Sequence, residues 1–183
     1  MADSKKKSGR KKQNTGKSSD ISHAKHIAIL GMFIAVALIF SYMETFIPVN
    51  IAVPGIKLGL ANIVTIVVLI QLGFKDAVCV SLLRVCLSAL LFSNLSVMAY
   101  SLAGAALSIL VMKLIHMTGI FGITGVSICG GVAHNIGQLI LAAVIMENQN
   151  IMGYAPVLFI SGTITGIIVG LVAAIISKSV KQI

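Results

Sequence analysis

The stretch Gly130-Gly131-Val132-Ala133-His134-Asn135-Ile136-Gly137-Gln138 places an imidazole and two carboxamides inside an apolar run that extends over 121–146. About 20 apolar residues suffice to cross a bilayer, so these groups fall at membrane depth. Polar groups there are costly in lipid and turn toward a bundle interior or a wet cavity, where they bind a ligand or join helices by hydrogen bonds. Two more polar residues lie in apolar surroundings, Asn62 and Arg84. At 1.5 Å per residue, Asn62 and His134 each lie about 20 Å from one end of their helices. Arg84 lies about 12 Å beyond Asp76 and has a long side chain. The expectation is one pocket holding Asn62, Arg84, His134, Asn135 and Gln138, with Lys57 at its rim. No apolar run supplies a carboxylate for Arg84. Its guanidinium therefore calls for backbone carbonyls, water or an anionic ligand.

The surrounding chain is built for lipid. Of its 183 residues 57% are hydrophobic and 10% charged, with mean hydropathy +1.03, against about 25% charged in a soluble domain. The fold class expected is an all-α integral membrane bundle of about six helices, over 24–42, 59–74, 77–92, 96–115, 121–146 and 154–177. The second and third are short for a span. The longest connection, 43–58, carries Pro48 and Pro54-Gly55, which break helices.

The net charge is +9, and eight of the 14 Lys and Arg residues fall in 1–26. A basic segment without apolar periodicity is expected to be disordered, so the domains are a tail over 1–23 and a transmembrane bundle over 24–183. The tail is read as a topology signal near anionic lipid, with no nucleic-acid partner. Lys75, Lys113, Lys178 and Lys181 fall on the side of the tail, which puts both termini in the cytosol and the 43–58 connection outside.

Small residues form two stripes. Ala24, Ala28, Gly31 and Ala35 share a face of the first helix, and Gly162, Gly166, Gly170 and Ala174 share a face of the last. Small side chains let backbones approach closely, within the bundle or against a partner subunit. Cys79, Cys86 and Cys129 read as small buried residues without metal spacing. The five acids are scattered, and no P-loop or nucleophile–base pair is present. The expectation is a non-enzyme without a cofactor or metal, unable to hydrolyse ATP alone.

With Leu58-Gly59-Leu60-Ala61-Asn62-Ile63, Ser101-Leu102-Ala103-Gly104 and the 130–138 motif in view, the chain resembles the Gx transporter family, often labelled heptaprenyl diphosphate synthase component I. That family resembles the substrate-binding S components of energy-coupling-factor transporters. The resemblance implies a six-helix membrane subunit that captures a small anionic or aromatic ligand for a bacterial importer. It implies a coupling subunit with cytosolic ATPases as partner, docked on a first-helix face that Ala24, Ala28, Gly31 and Ala35 supply here. The chain lacks the Asp-rich motifs that the synthase label implies. Family members are also associated with quinone, flavin and extracellular electron-transfer loci, which leaves an accessory role in prenyl-diphosphate or electron-transfer chemistry as the alternative.

The orientation is open to direct measurement. In a background with the three native cysteines replaced, Asn50→Cys is expected to react with an impermeant maleimide on intact cells. Lys12→Cys is expected to react only after permeabilisation. The reverse pattern overturns the orientation.

Overall fold

The computed structural model describes the backbone of residues 2–46 and 59–180, with side chains placed for these except 2–22, 149 and 180. Six α-helices and one short 3-10 turn account for nearly all of it, without a strand among the described residues. They are α1 (Ala2–Thr45), α2 (Asn62–Gln71), α3 (Phe74–Phe92), α4 (Leu95–Met117), α5 (Ile123–Ile145) and α6 (Ala155–Val180), with the turn over Gln149–Tyr154 leading into α6. Four segments are long and apolar enough to cross a membrane: His23–Thr45, Leu95–Met117, Ile123–Ile145 and Asn150–Ser179. This marks a multi-pass membrane protein.

The break between α2 and α3 has a local cause. Gly73 adopts φ +106°, a left-handed conformation that favours glycine, and its N–H and that of Leu72 both donate to the carbonyl of Val68. This closes α2 and lets the chain reverse within two residues. At the start of α4 the Asn94 carboxamide oxygen accepts from the Val97 N–H at 2.9 Å, a side-chain cap.

The helices alternate in direction, and contacts at their ends fix the register. α1 and α3 run parallel. His26 Nε2 lies 3.2 Å from Asp76 Oδ1 at one end, and the Tyr42 and Phe92 rings are 4.9 Å apart at the other. Both intervals are 16 residues, about 24 Å of helix. Tyr42 also meets Phe46 edge-on at 4.9 Å, so a small aromatic cluster marks the end opposite His26. Gln71 Nε2 donates to the Ser177 carbonyl, bringing the ends of α2 and α6 to the His26 end of the bundle.

α2 is the innermost element. Every residue from Asn62 to Leu69 is buried, and the helix touches all five others. A helix that is apolar on all sides is one that neighbours cover all round. With 10 residues it is about 15 Å long, half of a bilayer core. Its first turn therefore lies inside the bundle.

α4, α5 and α6 pack through glycine. A Cβ on Gly137 would meet the Ala103 carbonyl oxygen at 2.7 Å, and one on Gly131 would meet the Gly162 oxygen at 2.6 Å. Along α6, Gly166 faces the Ile128 Cα and Gly170 the Thr124 Cα, so the last-helix stripe is internal packing. The first-helix stripe differs. Ala24, Ala28, Gly31 and Ala35 are all exposed, and a Cβ on Gly31 would meet nothing within 4 Å.

That contrast predicts opposite outcomes for one chemical change. Gly166→Ala puts a methyl 2.6 Å from a backbone carbon and is expected to destabilise by about 1–3 kcal/mol. Gly31→Ala is expected to leave stability unchanged or slightly higher. Thermal melts in a common detergent check both.

Candidate functional site

The helical phase of α5 distributes its polar residues between two neighbours. Residues four apart share a face. Gly130 lies against Met112 of α4, and the Ser108 hydroxyl donates to its carbonyl at 2.8 Å. His134 and Gln138 continue that face. Gly131 lies against Gly162 of α6, and Asn135 continues that second face.

Asn135 joins α5 to α6. Its Nδ2 donates to the Leu158 carbonyl at 3.0 Å and lies 3.2 Å from Ser161 Oγ. A Cβ on Gly162 would crowd the same amide at 3.0 Å. The structure gives this residue a helix-joining position, on the opposite flank from His134.

His134 is buried between α4 and α5. Gln138 Nε2 lies 3.2 Å from its Nε2, and Gly104 of α4 leaves room for both side chains, since a Cβ there would meet His134 Nδ1 at 2.9 Å and Gln138 Cγ at 2.8 Å. With the carboxamide donating, the ring Nε2 accepts. Gln138 is wholly buried, and its Oε1 meets no hydrogen-bond partner among the described residues.

Gly59 brings the start of α2 to this pair. Its φ of +83° again requires glycine, and a Cβ would fall 3.1 Å from Asn62 Nδ2 and 3.5 Å from His134 Cδ2. Asn62, Gly59, His134 and Gln138 therefore form one buried polar cluster. A neighbouring cavity lined by Gly59, Asn62, Ser127 and Thr165 has a volume of about 10 Å³, room for a single water. The roomier cavities in the described residues lie elsewhere. One of about 340 Å³ runs between α3 and α4 and one of about 620 Å³ lies beside Glu147 and Met152, both lined mainly by apolar side chains.

Arg84 lies on the other flank of α2. α3 packs against α1, α2 and α4 but not against α5. The guanidinium is 5% exposed, and Nη1 donates to Ser41 Oγ of α1 at 3.4 Å. The charge has a carboxylate neighbour that the sequence did not offer. α1 continues through Thr45, which carries Glu44 into the bundle, one turn beyond Ser41 on the same face. Glu44 is buried, acts electrostatically on Arg84, and accepts from the Leu60 N–H through Oε1 at 2.6 Å. A residue placed in an outer loop by the proline pattern is thus part of the core. Lys57 and most of the 43–58 connection lie outside the described residues.

The two flanks meet at a single turn. Leu60 holds Glu44, Gly59 faces His134, and Asn62 opens α2. A polar belt therefore crosses the bundle from Arg84 and Ser41, through Glu44 and the 59–62 turn, to His134 and Gln138. Its groups donate and accept hydrogen bonds.

The model of the family described as heptaprenyl diphosphate synthase component I matches residues 33–176. The chain belongs to that family. The match begins within α1 and ends within α6, so it covers the whole polar belt. No curated protein and no solved structure matches the chain.

The Asn135 geometry has a stability consequence. Asn135→Ala removes a buried interhelical bond and is expected to destabilise by about 0.6–1.7 kcal/mol. A melt that is unchanged or higher would show that α5 and α6 are held by glycine packing alone.

Proposed function

We propose that this family member is the ligand-capture subunit of a bacterial small-molecule importer, embedded in the cell membrane with both termini in the cytosol. It binds its ligand and leaves ATP hydrolysis to separate subunits, in the manner of S components of energy-coupling-factor transporters. The observation that carries the reading is the uncovered face of α1. Every other glycine stripe in the bundle is used against a neighbouring backbone, whereas Ala24, Ala28, Gly31 and Ala35 face outward with open space above Gly31. Small residues in membrane helices mark helix–helix interfaces, and here the second helix belongs to another subunit.

The polar belt supports the binding half of the reading. Asn62, His134 and Gln138 offer neutral hydrogen bonds, and Arg84 offers charge, all within an otherwise apolar interior. Asn135 supports the wall of the site, and Lys57 is the sequence-based candidate for its rim. The role of α2 is positional, since a half-length helix places its leading turn at mid-depth.

The family description favours a second reading, in which the chain is an accessory membrane subunit for prenyl-diphosphate chemistry, and the resemblance drawn from the sequence extends that reading to quinone or flavin-linked electron transfer. Partners decide between the two. Affinity purification from native membranes is expected to bring down ATPase subunits and a membrane coupling subunit. Recovery of prenyl-transferase or redox proteins instead favours the second reading.

The docking face makes a sharper demand. Ala28→Leu and Gly31→Leu are expected to abolish recovery of the coupling subunit while leaving the thermal melt of the isolated chain unchanged. Full recovery with both variants would remove α1 from the interface.

A further inference from the structure

Asn62 opens α2 at the middle of the polar belt and is 6% exposed, yet its carboxamide is hydrogen-bonded to no other described residue. Ser127 of α5 is 3% exposed, and its hydroxyl is likewise unbonded among the described residues. Thr165 of α6 differs. Its hydroxyl donates to the Ser161 carbonyl at 2.9 Å, with the Gly162 carbonyl at 3.3 Å. A hydroxyl has one proton, so the Thr165 oxygen is left as an acceptor only. These three side chains come from three helices and line one cavity of about 10 Å³.

The size and chemistry of that cavity select its occupant. A volume of roughly 10–15 Å³ holds one water, and a buried water makes about three hydrogen bonds to polar groups that otherwise lack them. Thr165 requires a donor. Ser127 and the Asn62 carboxamide can each donate or accept. A molecule with two O–H donors and its own lone pairs satisfies all three, whereas an apolar occupant satisfies none. A bare cation would be held by neutral oxygens alone, since no carboxylate lines the cavity. Charge without a counter-charge is strongly unfavourable in a low-dielectric interior.

The place matters for α2. At its far end Gln71 donates to the Ser177 carbonyl of α6, and just before its first turn the Leu60 N–H is held by Glu44 of α1. No hydrogen bond among the described residues ties the Asn62 side chain to α5 or α6.

We propose that one ordered water is bound between Asn62, Ser127 and Thr165 and joins the opening turn of α2 to α5 and α6. It is a fixed structural ligand and goes beyond the ligand-capture reading, which concerns cargo.

The Ser127 and Thr165 hydroxyls are not bonded to each other, so a shared water is what couples them. In nanodiscs, Ser127→Ala and Thr165→Val are each expected to lower the melting temperature of the full-length protein by about 2–4 °C. The double variant is expected to lose less than the sum, because either substitution alone already breaks the bridge. Strictly additive losses, or no loss in either single variant, overturn the proposal. Melts in sodium chloride and choline chloride at equal concentration are expected to coincide. A sodium-specific rise that Thr165→Val abolishes would assign the site to a cation instead. Should a variant fail to fold, a crystal structure of the unaltered protein that shows ordered water decides. It is expected to place one oxygen within about 2.7–3.2 Å of all three side chains, and no density there overturns the bridge. The importer reading is decided separately by which subunits co-purify, so either idea can fail without the other.

Discussion

The close crossing of α5 with both of its neighbours is the constraint on which the rest depends. Lipid is as apolar as leucine, so helices in a membrane gain little from hiding hydrophobic side chains from it. They associate by packing backbones closely. Here α5 meets α4 at Gly137 and α6 at Gly131, and each contact leaves no room for a Cβ. Once both crossings are made, the rotation of α5 is fixed. His134 and Gln138 must then face α4, and Asn135 must face α6. The directions of the polar groups follow from where the glycines are.

The second consequence is the place given to α2. A 10-residue helix cannot span the bilayer, so it is tolerable only where protein surrounds it. The α4–α5–α6 layer and the α1–α3 pair supply that surround. The turn that opens α2 then lies where irregular backbone would otherwise be costly, and its groups are bonded accordingly. Glu44 takes the Leu60 N–H, and the Gly59 carbonyl accepts from Asn62 N–H at 2.9 Å. One turn thus touches both Glu44 and His134.

Much of this was legible in the sequence. Long apolar runs bounded by Gly, Pro and charged residues locate α4, α5 and α6 to within a few residues. The three- and four-residue spacing of small side chains identifies the faces of α1 and α6. Whether such a face is covered is not a local property, since Gly31 and Gly166 look alike in the sequence and differ only in what stands opposite. Asn135 and His134 are adjacent in one motif, but their division between α6 and α4 needed the phase set by the glycine crossings. Glu44 was missed for a different reason. A carboxylate next to a proline-bearing segment reads as an interfacial charge, and only its burial and its bond with the Leu60 N–H reveal it as a core residue. Its discovery also gives Arg84 a carboxylate neighbour within the bundle.

A chain selected for stability alone would have little reason to keep this belt. Replacing a buried ion pair by well-packed apolar residues is often neutral or stabilising. In a bundle already held by glycine crossings, apolar side chains at 44, 84, 134 and 138 would fill the same space without unpartnered donors or acceptors. Yet Nε and Nη2 of Arg84 and Oε1 of Gln138 are buried without a hydrogen-bond partner among the described residues, and such atoms are few in native structures. These three atoms stand at opposite ends of one belt joined by the 59–62 turn. α1 is also the helix whose small-residue face stands uncovered. α1 thus presents two unlike faces, Ser41 and Glu44 inward, Ala28 and Gly31 outward.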